Sequence, residues 1–335
     1  MRVAVLGGGS FGTVLAHLIA SNAHDVVLWM RDADQCRSMQ DTHENVKYLP
    51  GYPLDHRLRY GSQLQEAVED AELVFCAVPG KAVRLLAREL KGILGVSGRL
   101  ISTTKGIEVG TFALMSQILG EELGAIPIGV LSGPNLAKEI MAGSLSGTVI
   151  ASHDERLRHD VIQVLSSSRF RVFANTDIYG VELAGALKNI YAIASGMASC
   201  LAGGENTRSM LMTRALAEMS RFAVYMGANP LTFLGLAGVG DLIATCSSSL
   251  SRNFQVGVAL AQGKTLNQIV GDLEQTAEGI NTIRATKEKS DELGIYMPIV
   301  QGLYAVVFDQ RPVADVIRGL MTGVPSADVE YTLKI

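Results

Sequence analysis

The chain has little of what would make a disulfide, metal or nucleic-acid protein. Only four of its 335 residues are cysteine, namely Cys36, Cys76, Cys200 and Cys246. They lie far apart and form no C-x-x-C pair, which speaks against a disulfide framework and for a reduced, cytoplasmic setting. The six histidines do not cluster, so no metal site is expected. No block of five or more basic residues occurs and the formal net charge is −4, which argues against a nucleic-acid surface. No signal peptide precedes the first apolar run. The longest apolar stretch, residues 181–203, is interrupted by Glu182, Lys188 and Asn189. Charge inside a spanning helix is costly, so a buried helix is expected there and no membrane span.

What remains is a globular composition, 48% hydrophobic and 19% charged, in a chain long enough for two domains. Its first residues organise the rest. Residues 2–6 are apolar and rich in β-branched side chains, as in a buried strand. Gly7, Gly9 and Gly12 follow in G-x-G-x-x-G register, and residues 13–20 continue as a packed helix. In such a strand–turn–helix unit the first glycine permits the turn. The second admits a pyrophosphate close to the backbone, and the third lets helix and sheet pack. The anion then sits on the N–H groups of the helix N-terminus.

Residues 25–30 read as the second strand, whose end contacts the adenosine ribose in this fold. Arg31 stands there, which favours the 2′-phosphate of NADP(H) over strict NAD(H) use; a solvated surface arginine is the plain alternative. Asp32 follows, placed to cap a helix over 33–39. Further strands are expected at 73–78, 99–102, 126–131, 148–151 and 170–173, with a short strand leading to Tyr60 and helices at 64–69 and 81–90. Alternation of strands and helices predicts a parallel, doubly wound α/β sheet with its ligands beyond the carboxyl ends. The loops at Pro79-Gly80, Lys105 and Gly133–Asn135 then share one side. From Asp177 the strand signals stop, and helices are expected at 178–201, 207–226, 241–245, 253–261, 278–293 and 298–308. The division is a dinucleotide-binding domain over 1–176 and an all-helical substrate and catalytic domain over 177–335.

Lys188 is the one lysine in an apolar helix, sharing a face with Ala184, Gly185, Ala192 and Ser195. Those small residues would leave room for a substrate beside the ammonium. A buried lysine near a second cation is tuned toward acid–base work, whereas a lysine snorkelling to the surface would do nothing chemical. Ser251-Arg252-Asn253 reads either as a phosphate clamp or as a serine N-cap followed by exposed first-turn residues.

Taken together, these motifs resemble those of the bacterial NAD(P)-dependent glycerol-3-phosphate dehydrogenases. The resemblance is carried by Gly7–Gly12, Thr104-Lys105-Gly106, Ser132-Gly133-Pro134 with Ala137-Lys138-Glu139, and Glu182-Leu183 with Leu187-Lys188-Asn189. Residues 238–242, Ser251-Arg252-Asn253 and Glu278-Gly279 complete the set. It implies hydride transfer between NAD(P)H and dihydroxyacetone phosphate, giving sn-glycerol 3-phosphate for phospholipid synthesis in a ternary complex across the domain cleft. It implies Lys188 as proton donor and acceptor, and Lys105 as a contact to both cofactor and substrate. Gly133, Asn135, Asp241, Ser251, Arg252 and Asn253 correspond to further substrate contacts, and Ser10, Phe11, Arg31, Ala137, Arg252, Thr276 and Glu278 to cofactor contacts. Two departures are visible: Asn135 stands where the family has Ser or Thr, and Leu136 where it has an aromatic residue. By analogy a homodimer is expected. A β-hydroxyacid dehydrogenase of the phosphogluconate or hydroxyisobutyrate type is the competing enzyme. Its lysine and asparagine are several residues apart, while Lys188 and Asn189 are adjacent. A non-catalytic NADPH-sensing module is the competing binder.

Overall fold

Residues Arg2–Leu6 form β1 because both of its faces can be buried. Val3 and Val5 point into one core, Ala4 and Leu6 into the other, and all four are shut off from solvent. Such two-faced burial is what a central parallel strand requires. The structure, a computed structural model, describes residues 1–95, 98–201, 203–272 and 278–323. It divides into two units: Met1–Lys105 with Ala113–Glu182, and Gly106–Phe112 with Leu183–Ile335.

The first unit holds one eight-stranded sheet. Its strands are β1, β2 (Asp25–Trp29), β3 (Arg59–Gly61), β4 (Leu73–Cys76), β5 (Arg99–Ser102), β6 (Ile128–Ser132), β7 (Ser146–Ala151) and β8 (Phe170–Asn175). The spatial order is β3-β2-β1-β4-β5-β6-β7-β8, so the chain reverses its direction of travel between β1 and β4, where a dinucleotide fold binds its ligand. Helices α1 (Ser10–Ser21), α2 (Ala33–Thr42), α3 (Leu64–Val68), α4 (Gly80–Leu90), α5 (Met115–Leu123), α6 (Ala137–Met141) and α7 (Glu155–Leu165) connect the strands. Side chains of α1, α2 and α7 fill the core on one face, and those of α3, α4 and α5 the core on the other.

The fully parallel sheet expected from the strand–helix alternation needs one correction. β7 pairs antiparallel to β6, with Ser132 opposite Val149, and β8 then runs parallel to β7. The connection, residues 133–145, holds only the five-residue α6, which packs Ala137 and Ile140 on the core that α1 helps to fill and does not run back along the sheet. The chain re-enters the sheet at the end where it left.

Helix α8 (Ile178–Leu201) starts in the first unit and continues into the second, which also contains α9 (Glu205–Tyr225), α10 (Asp241–Ser247), α11 (Arg252–Ala261), α12 (Leu266–Asp272), α13 (Glu278–Glu292), α14 (Pro298–Val307) and α15 (Val313–Thr322). The short stretch Gly106–Phe112 belongs with these helices, since the rings of Phe112 and Phe222 lie 5.6 Å apart. Buried Glu218 of α9 ties the bundle together. It accepts a 2.7 Å bond from the backbone of Ile299 at the start of α14 and a 3.2 Å bond from the hydroxyl of buried Tyr191. Among the described residues no helix is long and apolar enough to cross a membrane, and no group of three or more His, Cys, Asp or Glu is placed to hold a metal.

Candidate functional site

The glycines of the first loop stand in different surroundings. Gly7 has φ +128°, and a Cβ there would lie 2.5 Å from the Ala77 carbonyl oxygen just past β4. A Cβ at Gly12 would lie 2.0 Å from the Gly7 carbonyl oxygen. Chain packing therefore explains both. It does not explain Gly9, where a Cβ would meet nothing within 4 Å. That cradle is open, and it lies at the N-cap of α1, where no side chain caps the helix and the first turn carries no acidic residue. An uncapped helix start without negative charge suits a pyrophosphate.

The loop is held rigid by residues that the motif does not include. The Gly8 carbonyl accepts bonds from Gln35 Nε2 (2.7 Å) and Asn45 Nδ2 (2.9 Å). Asn45 Nδ2 also reaches Thr13 Oγ1 at 2.7 Å, and Thr13 bonds the Gly9 carbonyl at 2.9 Å. The Ser10 hydroxyl donates to the Tyr48 carbonyl, and Phe11 packs half-buried against the core. Gln35 and Asn45 gave no sequence signal, because polar residues in a helix and a loop acquire partners only when the chain folds.

Arg31 is exposed just past β2. Asp32 caps α2, accepting from the backbone of Asp34 at 3.0 Å and Gln35 at 3.2 Å, and the Gln35 bond leads the effects that hold its carboxyl below the usual range. An open cavity of about 290 Å³ lies beside it, lined by Gln35, Met39, Asn45 and Lys47 among others.

At the carboxyl ends of β4 and β5 the hydroxyls of Thr103 and Thr104 donate to the carbonyls of Cys76 and Val78. They stitch the two strand ends together and set the direction in which Lys105 leaves the sheet. Lys105 Nζ donates to the Gly133 carbonyl at 2.9 Å, so the loops after β5 and β6 meet. Gly133 has φ +141°, and a Cβ there would lie 3.1 Å from Thr148 Cα. Asn135 Nδ2 donates to Thr148 Oγ1 at 3.0 Å. Ala137 is the first residue of α6 and packs half-buried on the core.

In the helical unit Lys188 is 6% exposed and Asp241 1%. The Lys188 ammonium lies 2.5 Å from Asp241 Oδ1 and 2.6 Å from Thr245 Oγ1, and Thr245 also bonds Asp241 at 3.2 Å. Asp241 and Thr245 are four residues apart on α10 and so face the same way. The face of small residues on α8 is not left vacant: Ala184 and Ala192 are fully buried, and Ser195 donates to the Cys246 carbonyl at 2.8 Å. In its own unit Lys188 has a carboxylate, Asp241, as a charged neighbour. Burial raises the neighbouring Cys246 thiol to about 12, which removes it as a nucleophile.

Ser251 is a helix cap, its Oγ accepting from the Phe254 backbone. Arg252 is exposed at the first position of α11. Asn253 Oδ1 accepts from the Gly279 backbone at 3.2 Å, and a Cβ at Gly279 would lie 2.9 Å from the Asn189 carbonyl. Gly279 thus brings the start of α13, and Glu278 with it, against the helix that carries Lys188. Thr276 lies outside the described residues. Glu182 is buried; Ser116 donates to it from both backbone and hydroxyl at the start of α5, and burial pushes its carboxyl up to about 7.

Two family models match the chain. The one described as NAD-dependent glycerol-3-phosphate dehydrogenase N-terminus covers residues 2–158, and the corresponding C-terminus covers 177–318. A glycerol-3-phosphate dehydrogenase [NAD(P)+] of Teredinibacter turnerae is 53% identical over 330 residues, spanning 98% of this chain and 97% of the relative. The crystal structure of glycerol-3-phosphate dehydrogenase from Coxiella burnetii superposes with a TM-score of 0.92 at 33% identity, over 96% of this chain and 99% of that one. A glycerol-3-phosphate dehydrogenase structure from Saccharomyces cerevisiae gives 0.83 at 29% identity, over 95% and 98%.

Proposed function

The chain belongs to the NAD-dependent glycerol-3-phosphate dehydrogenase family, and on that premise we propose how its residues carry out the reversible hydride transfer between NAD(P)H and dihydroxyacetone phosphate. Residues 1–176 make the dinucleotide-binding domain and residues 177–335 the helical substrate and catalytic domain. The pyrophosphate rests over Gly9 on the first turn of α1, contacting Ser10 and Phe11. Arg31 meets the adenosine ribose and favours NADPH, because the adjacent carboxylate, Asp32, is already engaged as a helix cap. Lys105, Ala137, Arg252, Thr276 and Glu278 complete the cofactor contacts. When bound, the nicotinamide supplies the hydride that reaches C2 of the ketone.

Lys188 Nζ gives a proton to the oxygen on C2 in reduction and takes it back in oxidation. Burial works against charge on this ammonium, and the Asp241 carboxylate works for it. Thr245 and Asp241 fix the direction of the N–H bonds, so the proton is presented where negative charge develops. Arg252 and Asn253 grip the phosphate. Asn253 has its oxygen committed to Gly279, which turns its NH2, a donor, toward an anion. Lys105, Gly133, Asn135 and Ser251 are the further substrate contacts. What supports the acid–base role is the enclosure of Lys188 with Asp241 and Thr245; a snorkelling lysine would be solvated.

The test follows NADPH absorbance on addition of dihydroxyacetone phosphate. Lys188→Ala is expected to lose about 10²-fold or more in kcat while NADPH binding, read by fluorescence, persists. Near wild-type turnover would remove Lys188 from the mechanism. Comparing kcat/KM for NADPH and NADH tests the role of Arg31. A competing β-hydroxyacid dehydrogenase leaves the adjacency of Lys188 and Asn189 unexplained, and a sensor would bind NADPH without turnover. A cytoplasmic homodimer supplying phospholipid synthesis completes the proposal, and sedimentation tests the subunit count.

A further inference from the structure

Four buried side-chain polar atoms lack a hydrogen-bond partner among the described residues: Ser102 Oγ, Ser132 Oγ, Asn135 Oδ1 and Thr286 Oγ1. Three of them belong to the carboxyl ends of the adjacent strands β5 and β6 and the loop that follows. Native proteins rarely leave such atoms unpaired, because each costs about 1–3 kcal/mol. Asn135 shows the reason most clearly.

Thr148 is fully buried on β7. Its hydroxyl donates to the Ser132 carbonyl at 2.9 Å, and a carbonyl can only accept. The one proton of Thr148 is therefore committed, and its oxygen can only accept from Asn135. That fixes the amide. Asn135 must turn its NH2 toward Thr148, at 3.0 Å, and must present its oxygen on the other side, where no donor among the described residues reaches it. The loop cannot drift from this arrangement, since Gly133 packs on Thr148 Cα and its carbonyl is bonded by Lys105.

The geometry points to Thr148 as a positioning residue that holds Asn135 Oδ1 as an obligate acceptor for a ligand hydroxyl. Lys105 beside the loop attracts an anion, so the ligand is a phosphorylated small molecule with a free hydroxyl. Resting on the function proposed above, this is the hydroxymethyl end of dihydroxyacetone phosphate. Ser or Thr at position 135 would rotate to donate or accept; Asn135 locked by Thr148 can only accept. The pair therefore selects against a substrate whose free end is a methyl group.

The experiment compares kcat/KM for dihydroxyacetone phosphate with that for its 1-deoxy analogue, hydroxyacetone phosphate, with NADPH. Wild-type turnover of dihydroxyacetone phosphate tests the function itself; its absence would sink that function, not the positioning of Asn135. The wild type is expected to prefer the hydroxylated substrate by about 5- to 150-fold, the range set by one unmet buried acceptor. Thr148→Val and Asn135→Ala are each expected to bring the ratio near one, chiefly through KM for the hydroxylated substrate. Thr148→Ser keeps the hydroxyl and is expected to keep the ratio. An unchanged ratio in either Thr148→Val or Asn135→Ala overturns the assignment. So does a rise in KM for NADPH with the ratio intact, which would assign the acceptor to the cofactor. Should Thr148→Val fail to fold, Thr148→Ala replaces it with the same expectation.

Discussion

Replacing Glu182 with Gln is expected to remove a large part of the chain's pH-dependent stability. Glu182 is 2% exposed and sits at the start of α5, accepting from the Ser116 backbone at 2.9 Å and from the Ser116 hydroxyl. The helix N-terminus favours its charge, but burial dominates and pushes the carboxyl from 4.5 to about 7. A carboxyl whose folded value is raised stabilises fully below 4.5, and that contribution is lost as the pH climbs through about 7. Between pH 5 and pH 8 the loss amounts to about 2.5 kcal/mol. Glutamine does not titrate, and it can keep both contacts: its oxygen accepts from the Ser116 N–H and its NH2 donates to the hydroxyl. In a unit of this size 1 kcal/mol moves Tm by about 2–4 °C. Thermal unfolding of the two proteins should give nearly equal Tm at pH 5 and a gap of at least about 5 °C in favour of the variant at pH 8. Glu218, likewise raised to about 7 by burial, is common to both and cancels. Parallel Tm–pH curves would refute the account, because they would mean that Glu182 is already ionised at pH 5 or has no part in the pH response.

Gly9→Ala and Gly12→Ala separate ligand space from chain packing. The former meets no atom within 4 Å, so its Tm should match the wild type while the Kd for NADPH rises at least tenfold or so, by loss of backbone approach to the pyrophosphate. The latter puts a methyl 2.0 Å from the Gly7 carbonyl and should lower Tm by several degrees; calorimetry of binding and unfolding reads both. Arg252→Ala should raise KM for dihydroxyacetone phosphate by about 10- to 100-fold, as loss of a charge-assisted phosphate contact does, and an unchanged KM would count against the clamp.

Much of this was legible in the residues. The Gly-rich loop declares itself because a strand, a turn and a helix start each impose a local rule, and Gly7, Gly9 and Gly12 obey all three. Strand positions were legible because burial on both faces demands continuous apolar runs, and the helical second half because those runs lengthen and lose their turn residues. Family resemblance then singled out Lys188, Asp241 and the Ser251–Asn253 segment. The Ser251 cap was legible too, as the plainer of the two readings of Ser251-Arg252-Asn253. The reversal of β7 was not legible, since it depends on where α6 packs before the chain re-enters the sheet.

The sequence alone determined which half of the chain is sheet and which is helix, where the strand–turn–helix glycine motif falls, and the chemical types available for reduction of a phosphorylated ketone. Only the tertiary structure decided which partners those groups take. Lys188 meets Asp241 and Thr245 across more than fifty positions, Gln35 and Asn45 close on Gly8, and Thr148 fixes the amide of Asn135. The physical reason is that periodicity and propensity act over a few neighbouring residues, whereas a buried polar group is completed by whatever atom the packing of distant segments delivers within 3 Å or so of it.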